Sequence, residues 1–254
     1  MFDSTEDPTR DVSHRPWPLP SAPWVMAQRW SNLLFAHWPV QTDHIRALVP
    51  PSLPLDLYDG TAWVTIAPFY VSHLHARGVP PIPFTSAFPE LNVRTYVTLG
   101  GKPGVYFFSL DAGNAAAVMG ARTLYHLPYM NADMRIDVQA DGSVAYRSHR
   151  TDDRAPAADF VARYRPVGEP FHATPGSLDH WLSARYCLYT ASASGVHRAE
   201  IHHRPWPLQD ATAEIEVNTM ATAAEIVLAP QPPRLSFAKR LDVVVWLPER
   251  CEGE

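Results

Sequence analysis

The sequence has little cysteine and no long apolar run. Its two cysteines, Cys187 and Cys251, are too few for the disulfide framework of a small secreted protein. The first 24 residues mix charges with prolines and lack the apolar core of a signal peptide, and no later run has the length of a membrane span. A net charge of −5 without any Lys/Arg-rich run argues against nucleic acid or an anionic membrane as partner. We therefore expect a cytoplasmic protein that binds neither nucleic acid nor membrane.

Several catalytic signatures are also missing from the sequence. It has no Gly-x-Ser-x-Gly elbow, no glycine-rich phosphate loop and no pairing of cysteine with histidine. We expect no cofactor. The remaining partner class is a small molecule, and the sequence leaves open whether the chain forms a homo-oligomer.

Proline is abundant and marks the corners of the fold. The 26 prolines often stand at the ends of alternating apolar runs, as in Pro50-Pro51 and Pro232-Pro233. Asp59-Gly60 and Asp141-Gly142 predict two hairpin turns. We expect an α+β, mainly β protein of about ten short strands and a few short helices, in a closed or nearly closed antiparallel barrel. Residues 1–24 should form a flexible tail, and residues 25–250 a single domain.

Individual elements follow from periodicity. Mostly apolar and polar side chains alternate strictly over residues 91–99, which predicts a half-buried strand. We also expect a loop over residues 72–86, helices over residues 115–126 and 178–189, and a strand over residues 235–247. Residues 211–228 are ambiguous, with helix slightly favoured in their first half.

Seven stretches together resemble a known family. They are FAHWPV (35–40), ALVPPSLPLDLYDGTAWVTIAPF (47–69), PELNVRTYV (89–97), KPGVYFFSLDA (102–112), ARTLYHLPYMNADM (121–134), SARYCLYT (183–190) and HHRPWPL (202–208). In these stretches the chain resembles the YqjF-like family of uncharacterised bacterial proteins, placed in the acetoacetate decarboxylase-like superfamily. The resemblance covers roughly residues 26–248.

The resemblance implies a barrel-like β fold around an internal pocket. Decarboxylases of the superfamily use a lysine amine to form a Schiff base with a β-keto acid. That lysine follows a helix in a local pattern similar to ARTLYHLPYM, where this chain carries Tyr129 and Met130. Because neither a phenol nor a thioether can form an imine, we do not expect decarboxylation by that mechanism.

The first candidate site is the polar face of the predicted strand 91–99 and its surroundings. Arginine can bind a carboxylate through two parallel donors, and tyrosine can orient or protonate an oxyanion. We assign Tyr129 and Arg122 as catalytic candidates, and the ligand-binding candidates are Glu90, Asn92, Arg94, Tyr96, Tyr125 and His126. The alternative is that Arg94 and Arg122 pair with acids such as Glu90 or Asp133 on a solvated sheet face.

Lys239 is a further catalytic candidate. It is one of two lysines in the chain, and strict alternation places it on the apolar face of the last predicted strand. A desolvated lysine can serve as an imine-forming nucleophile. The alternative is a bulge that lets its long stem reach water.

Histidines are the candidates for metal binding, and we weigh His73, His75, His126, His202 and His203. The His-x-His spacing of His73 and His75 could place both rings on one side of a strand. No cysteine or carboxylate joins them at ligand spacing, so surface or hydrogen-bonded histidines are favoured and no metal site is expected.

The resulting hypothesis is a small-molecule pocket for a carboxylated or keto metabolite. It leaves open whether the chain is an enzyme. The classes that remain are an acid/base enzyme, a non-catalytic binding or sensor protein, a relocated Schiff-base enzyme using Lys239, and a structural partner of another protein.

Overall fold

The computed structural model describes residues 7–81, 86–192 and 194–251. Most of this part is β-structure, and its twelve strands belong to one sheet. The strands are β1 Met26–Val40, β2 Ala62–Ala76, β3 Phe88–Leu99, β4 Lys102–Ala112, β5 Tyr129–Val138, β6 Val144–Arg150, β7 Asp159–Phe171, β8 Cys187–Ser192, β9 Gly195–His203, β10 Leu208–Asn218, β11 Arg234–Val245 and β12 Glu249–Arg250. The expected mainly β architecture is confirmed.

The helices of the described residues are short. They are α1 Thr42–Leu48, α2 Ala115–Tyr125, α3 Leu178–Ser183 and α4 Met220–Ala223, preceded by a 3-10 turn at Pro8–Arg10. Asn114 caps α2 by accepting hydrogen bonds from the N–H groups of Ala116 and Ala117. His126 ends α2 in the left-handed conformation with φ 53°. No helix in the described ranges is long and apolar enough to cross a bilayer.

The sheet closes on itself at two places. Hydrogen-bonded neighbours run β4-β3-β2-β1-β11-β10-β7-β6-β5, and a parallel β4–β5 pairing closes these nine strands into a ring. A β9–β11 pairing closes a second ring of seven strands, β9-β8-β4-β3-β2-β1-β11. We describe rings rather than a regular barrel because β1, β2, β3, β4 and β11 belong to both.

The shared strands form a wall with a core on each side. In β1, Leu34 packs into the core of the nine-strand ring, whereas Leu33 and Phe35 pack into that of the seven-strand ring. In β3, Val93 and Tyr96 divide between the two cores in the same way. The expectation that residues 91–99 form a half-buried strand is therefore wrong in one respect, since both faces of β3 are buried.

Three predicted elements differ in the structure. The helix expected over residues 178–189 ends at Ser183, and Cys187 begins β8 instead. The first half of residues 211–228 lies in β10, because this segment pairs with β7. The loop expected over residues 72–86 contains the end of β2, which extends to Ala76, and residues 82–85 of that loop lie outside the described ranges.

The described part of the N-terminal segment is attached to the sheet. Arg15 is buried, donates a hydrogen bond to the Ile201 carbonyl and forms an ion pair with Glu200. Trp17 Nε1 donates to the same carboxylate at 2.9 Å. These contacts attach Arg15 and Trp17 to β9, and the flexible tail over residues 1–24 stays a prediction. The single domain over residues 25–250 stays a prediction.

Candidate functional site

A cavity of about 240 Å³ lies inside the seven-strand ring. All seven strands of that ring contribute residues to its wall. Helix α2 covers one side through Ala117, Gly120, Ala121, Leu124 and Tyr125. Most of the wall is hydrophobic. Trp30 and Trp206 stack at a centroid distance of 5.8 Å, and Phe35 meets Trp206 edge-on at 5.0 Å. A mostly apolar cavity with few polar groups is the usual form of a small-molecule site.

Three polar groups of the wall come from β3. Glu90, Asn92 and Arg94 alternate along the strand, so their side chains reach the cavity while Leu91 and Val93 enter the opposite core. Asn92 Oδ1 and Arg94 Nε are buried without a hydrogen-bond partner. Within the described residues Arg94 forms no salt bridge, and its guanidinium carbon lies 5.3 Å from the Phe35 ring centroid. Buried polar groups are normally satisfied, so these two atoms are unusual.

Glu90 is buried and hydrogen-bonded to one side chain. Tyr129 Oη donates to Glu90 Oε2 at 3.0 Å. Burial raises the pKa of Glu90 to about 8, although the hydrogen bond from Tyr129 opposes that shift. Burial and the neighbouring Glu90 also raise the pKa of Tyr129 well above its usual value. Glu90 is therefore mostly protonated at neutral pH. Its carboxyl group can release or take up a proton near that pH.

The other polar end of the cavity was not predicted from the sequence. Arg185 follows α3, lines the cavity and is buried. It forms an ion pair with Asp56, and its Nε donates to the Trp181 carbonyl at 2.6 Å. Its second terminal nitrogen, Nη2, is buried without a partner. Burial lowers the pKa of Arg185, and the Asp56 carboxylate opposes this shift.

His203 also lines this end of the cavity. Its Nδ1 lies 2.7 Å from the Arg204 carbonyl oxygen, and its Nε2 lies 3.4 Å from the Arg185 carbonyl oxygen. Burial lowers the pKa of His203 to about 3. The ring is therefore uncharged at neutral pH.

Tyr96 lies behind the two arginines. Its ring centroid is 6.0 Å from the guanidinium carbon of Arg94 and 4.9 Å from that of Arg185. Its hydroxyl is 2.6 Å from Thr65 Oγ1, which is 2.8 Å from His37 Nδ1. Tyr96 thus supports both guanidinium groups from outside the cavity lining.

The structure separates the predicted site residues into two groups. Glu90, Asn92, Arg94, Tyr125 and Tyr129 line one cavity, and burial raises the pKa of Tyr125 to about 12. The others do not line it. Arg122 Nη1 donates to the Tyr129 carbonyl at 3.3 Å, and His126 is exposed with its ring 5.9 Å from that of His197.

Lys239 is exposed, as in the alternative in which its long stem reaches water, so strict alternation does not hold at this position. Ala238 and Leu241 both pack into the core of the seven-strand ring although they lie three residues apart, so the alternation changes phase between them. Residues 236–238 of β11 pair with β10, whereas residues 243–245 pair with β9. Lys239 and Arg240 lie between these two paired segments of β11, and both side chains are exposed.

The candidate metal ligands do not assemble. In the described ranges, no group of three or more His, Cys, Asp or Glu side chains is placed to hold a metal ion. His202 Nε2 lies 3.0 Å from the Pro8 carbonyl oxygen, and His75 Nδ1 lies 2.6 Å from that of His73. These rings make hydrogen bonds to the backbone.

Comparison with known proteins identifies the family. A model of DUF2071, described as uncharacterized conserved proteins, matches residues 27–242. The chain belongs to this family. It is 50% identical over 228 residues to the uncharacterized protein YqjF of Bacillus subtilis (strain 168). The aligned region covers 90% of this chain and 93% of that protein. The resemblance inferred from the sequence is confirmed.

Solved structures identify the fold. Acetoacetate decarboxylase from Legionella pneumophila matches with a TM-score of 0.62 and 13% identity over 99% of this chain and 98% of its own. The enduracididine biosynthesis enzyme MppR, complexed with pyruvate, matches with a TM-score of 0.61 and 12% identity over 94% of each chain. The chain therefore has an acetoacetate decarboxylase-like fold.

Arg185, His203 and Trp206 are among the cavity residues that are absent from the site predicted from the sequence. The sequence pattern places Arg185 within a predicted helix, and His203 is predicted only as a candidate metal ligand. All three lie in the SARYCLYT and HHRPWPL stretches that carry the family resemblance. Those stretches were a signal that these segments could contribute to the pocket.

Proposed function

We propose that the chain binds a small carboxylate or keto acid in this cavity, and that Arg94 binds the carboxylate group. The observation that carries the proposal is the unpaired Arg94 Nε beside the unpaired Asn92 Oδ1 on a mostly apolar wall. Leaving such groups buried and unsatisfied is costly. A bound carboxylate that accepts a hydrogen bond from Arg94 would remove that cost at the guanidinium group.

We propose further that the chain acts on its ligand by acid/base chemistry through Glu90. A buried carboxyl with a pKa of about 8 suits a general base or acid near neutral pH. Ionised Glu90 would take a proton from the carbon next to the ligand carbonyl, and the Tyr129 hydroxyl would stabilise the carboxylate by its hydrogen bond. Lys239 has no part in this proposal because it is exposed.

Deuterium exchange tests the acid/base proposal. The protein is incubated with 2-oxo acids in D₂O, and the loss of the proton next to the carbonyl is followed by NMR. We expect exchange that accelerates as the pH rises towards about 8, because the base is ionised Glu90. Glu90→Gln should reduce exchange by about 100-fold or more while retaining binding.

The control is Glu216→Gln, which removes an exposed carboxylate on β10. If the wild-type protein binds the 2-oxo acid and leaves every proton unexchanged, the acid/base proposal is wrong and the chain is a non-catalytic binding protein. Equal exchange by Glu90→Gln and wild type would also overturn the assignment of Glu90.

A further inference from the structure

The cavity contains a second guanidinium group with an unpaired nitrogen, and this deepens the proposed function. Arg185 Nη2 is buried without a partner, as is Arg94 Nε, and both residues line the cavity. The guanidinium carbons of both residues also lie within 6.0 Å of the same Tyr96 ring centroid. They come from segments about ninety residues apart, brought together where the end of α3 meets β3.

At the end of the cavity where Arg94 and Arg185 lie, one positive charge has no acidic partner among the described residues. Asp56 neutralises Arg185 through their ion pair. The raised pKa of Glu90 and the lowered pKa of His203 leave both side chains mostly uncharged at pH 7. Arg94 has no acidic partner among the described residues. A single negative charge would therefore neutralise this end, whereas a dianion would bring one charge too many into a low-dielectric site.

The rest of the wall is suited to hydrocarbon. Trp30, Phe69 and Trp206 form an aromatic cluster, in which Trp30 meets Phe69 edge-on at 5.7 Å. Val105 and Leu188 add aliphatic surface from β4 and β8. A ligand as short as pyruvate would leave much of the 240 Å³ in contact with no ligand atom.

We propose that Arg94 and Arg185 together bind one carboxylate, and that the ligand is a 2-oxo monocarboxylic acid with an apolar body that packs against the Trp30, Phe69 and Trp206 cluster. The proposal rests on the proposed function because it uses the same cavity and the same Arg94. It adds a second carboxylate-binding residue and a ligand class.

Isothermal titration calorimetry with a chain-length series tests the ligand class. The probes are pyruvate, 2-oxobutanoate, 2-oxopentanoate and 2-oxohexanoate, with 2-oxoglutarate as the dicarboxylate. We expect affinity to rise by up to about fourfold per added methylene, since each buried methylene contributes about 0.8 kcal/mol. The dicarboxylate should bind more weakly than 2-oxopentanoate, which has the same number of carbons.

Substitution tests the second arginine. Arg185→Met alone would leave Asp56 without its partner, so the variant is Asp56→Asn combined with Arg185→Met. We expect it to weaken 2-oxohexanoate binding by about 10- to 100-fold, the range for a lost hydrogen bond to a charged group. The matched control combines Asp242→Asn with Arg29→Met, which removes a partly buried ion pair whose residues do not line the cavity.

The outcomes separate this inference from the proposed function. Equal affinity for pyruvate and 2-oxohexanoate, tighter binding of 2-oxoglutarate, or unchanged binding by a folded Asp56→Asn/Arg185→Met variant would each overturn the inference and leave the carboxylate site at Arg94 standing. If no 2-oxo acid binds to the wild-type protein, both are wrong. Circular dichroism and thermal melting establish that each variant folds.

Discussion

At the scale of residues, Glu90 is a carboxyl group that the fold keeps largely uncharged. Burial raises its pKa from an ordinary value of 4.5 to about 8, and Tyr129 is its hydrogen-bond donor. The folded protein therefore holds a proton that the unfolded chain has released over much of the pH range. Stability from this site is present below about pH 4.5 and is lost as the pH rises towards 8.

The substitution Glu90→Gln removes this pH dependence. Relative to wild type, we expect its free energy of unfolding to rise by up to about 1.4 kcal/mol per pH unit between pH 4.5 and 8 and to level off above. Urea denaturation across that range measures the difference, with Glu216→Gln as the control. Stability curves for Glu90→Gln and wild type that run parallel with pH would show that Glu90 is not desolvated.

Single residues of the site differ in how far sequence could place them. The alternation in residues 91–99 predicts that Asn92 and Arg94 lie on the same face of the strand. In the structure both line the same cavity. The same reasoning failed for Lys239, because β11 changes its neighbouring strand there. The position of Arg185 at the cavity could not be predicted from local sequence, because it depends on contacts with β3 and Asp56, which are distant in sequence.

At the scale of elements, β4 and β8 approach each other closely at Gly104. A Cβ atom built on Gly104 would lie 2.6 Å from the Cys187 carbonyl oxygen and 2.7 Å from Cys187 Sγ. These distances are well inside van der Waals contact, and the oxygen belongs to the backbone of β8. The parallel pairing of Val105 with Leu188 depends on this approach.

We expect Gly104→Ala to lower the free energy of unfolding by about 1 to 3 kcal/mol, the usual range for overpacking. Gly120→Ala is the control, because a Cβ at this position in α2 meets no atom within 4 Å. This change should stabilise the protein by up to about 1 kcal/mol. Chemical denaturation compares the two, and a Gly104→Ala variant as stable as wild type would contradict the close packing of β4 on β8.

Local patterns predicted turns and long strands better than short elements. Asp59 and Gly60 have φ values of 48° and 76°, as a two-residue hairpin turn requires. Beyond Ser183, however, helical spacing predicted a continuing helix where the chain instead forms β8. Pairing of β8 with β9 and β4 outweighed the local helical tendency.

At the scale of the whole molecule, the two rings explain where a cavity can form. The shared wall of β1, β2, β3, β4 and β11 has two buried faces, and side chains fill the core of the nine-strand ring. In the seven-strand ring they leave space under α2. Sequence alternation indicated strands with two faces, but it could not indicate that both faces were internal, because that depends on how distant strands close.

The central claim is that this space binds a carboxylate through Arg94. The most direct test is calorimetric titration of wild type and Arg94→Met with 2-oxohexanoate and with its neutral amide, using Arg147→Met, an exposed arginine on β6, as control. We predict that wild type and the control bind the acid at least about tenfold more tightly than Arg94→Met does. The amide should bind weakly and equally to all three. Equal binding of the acid by wild type and Arg94→Met would contradict the account.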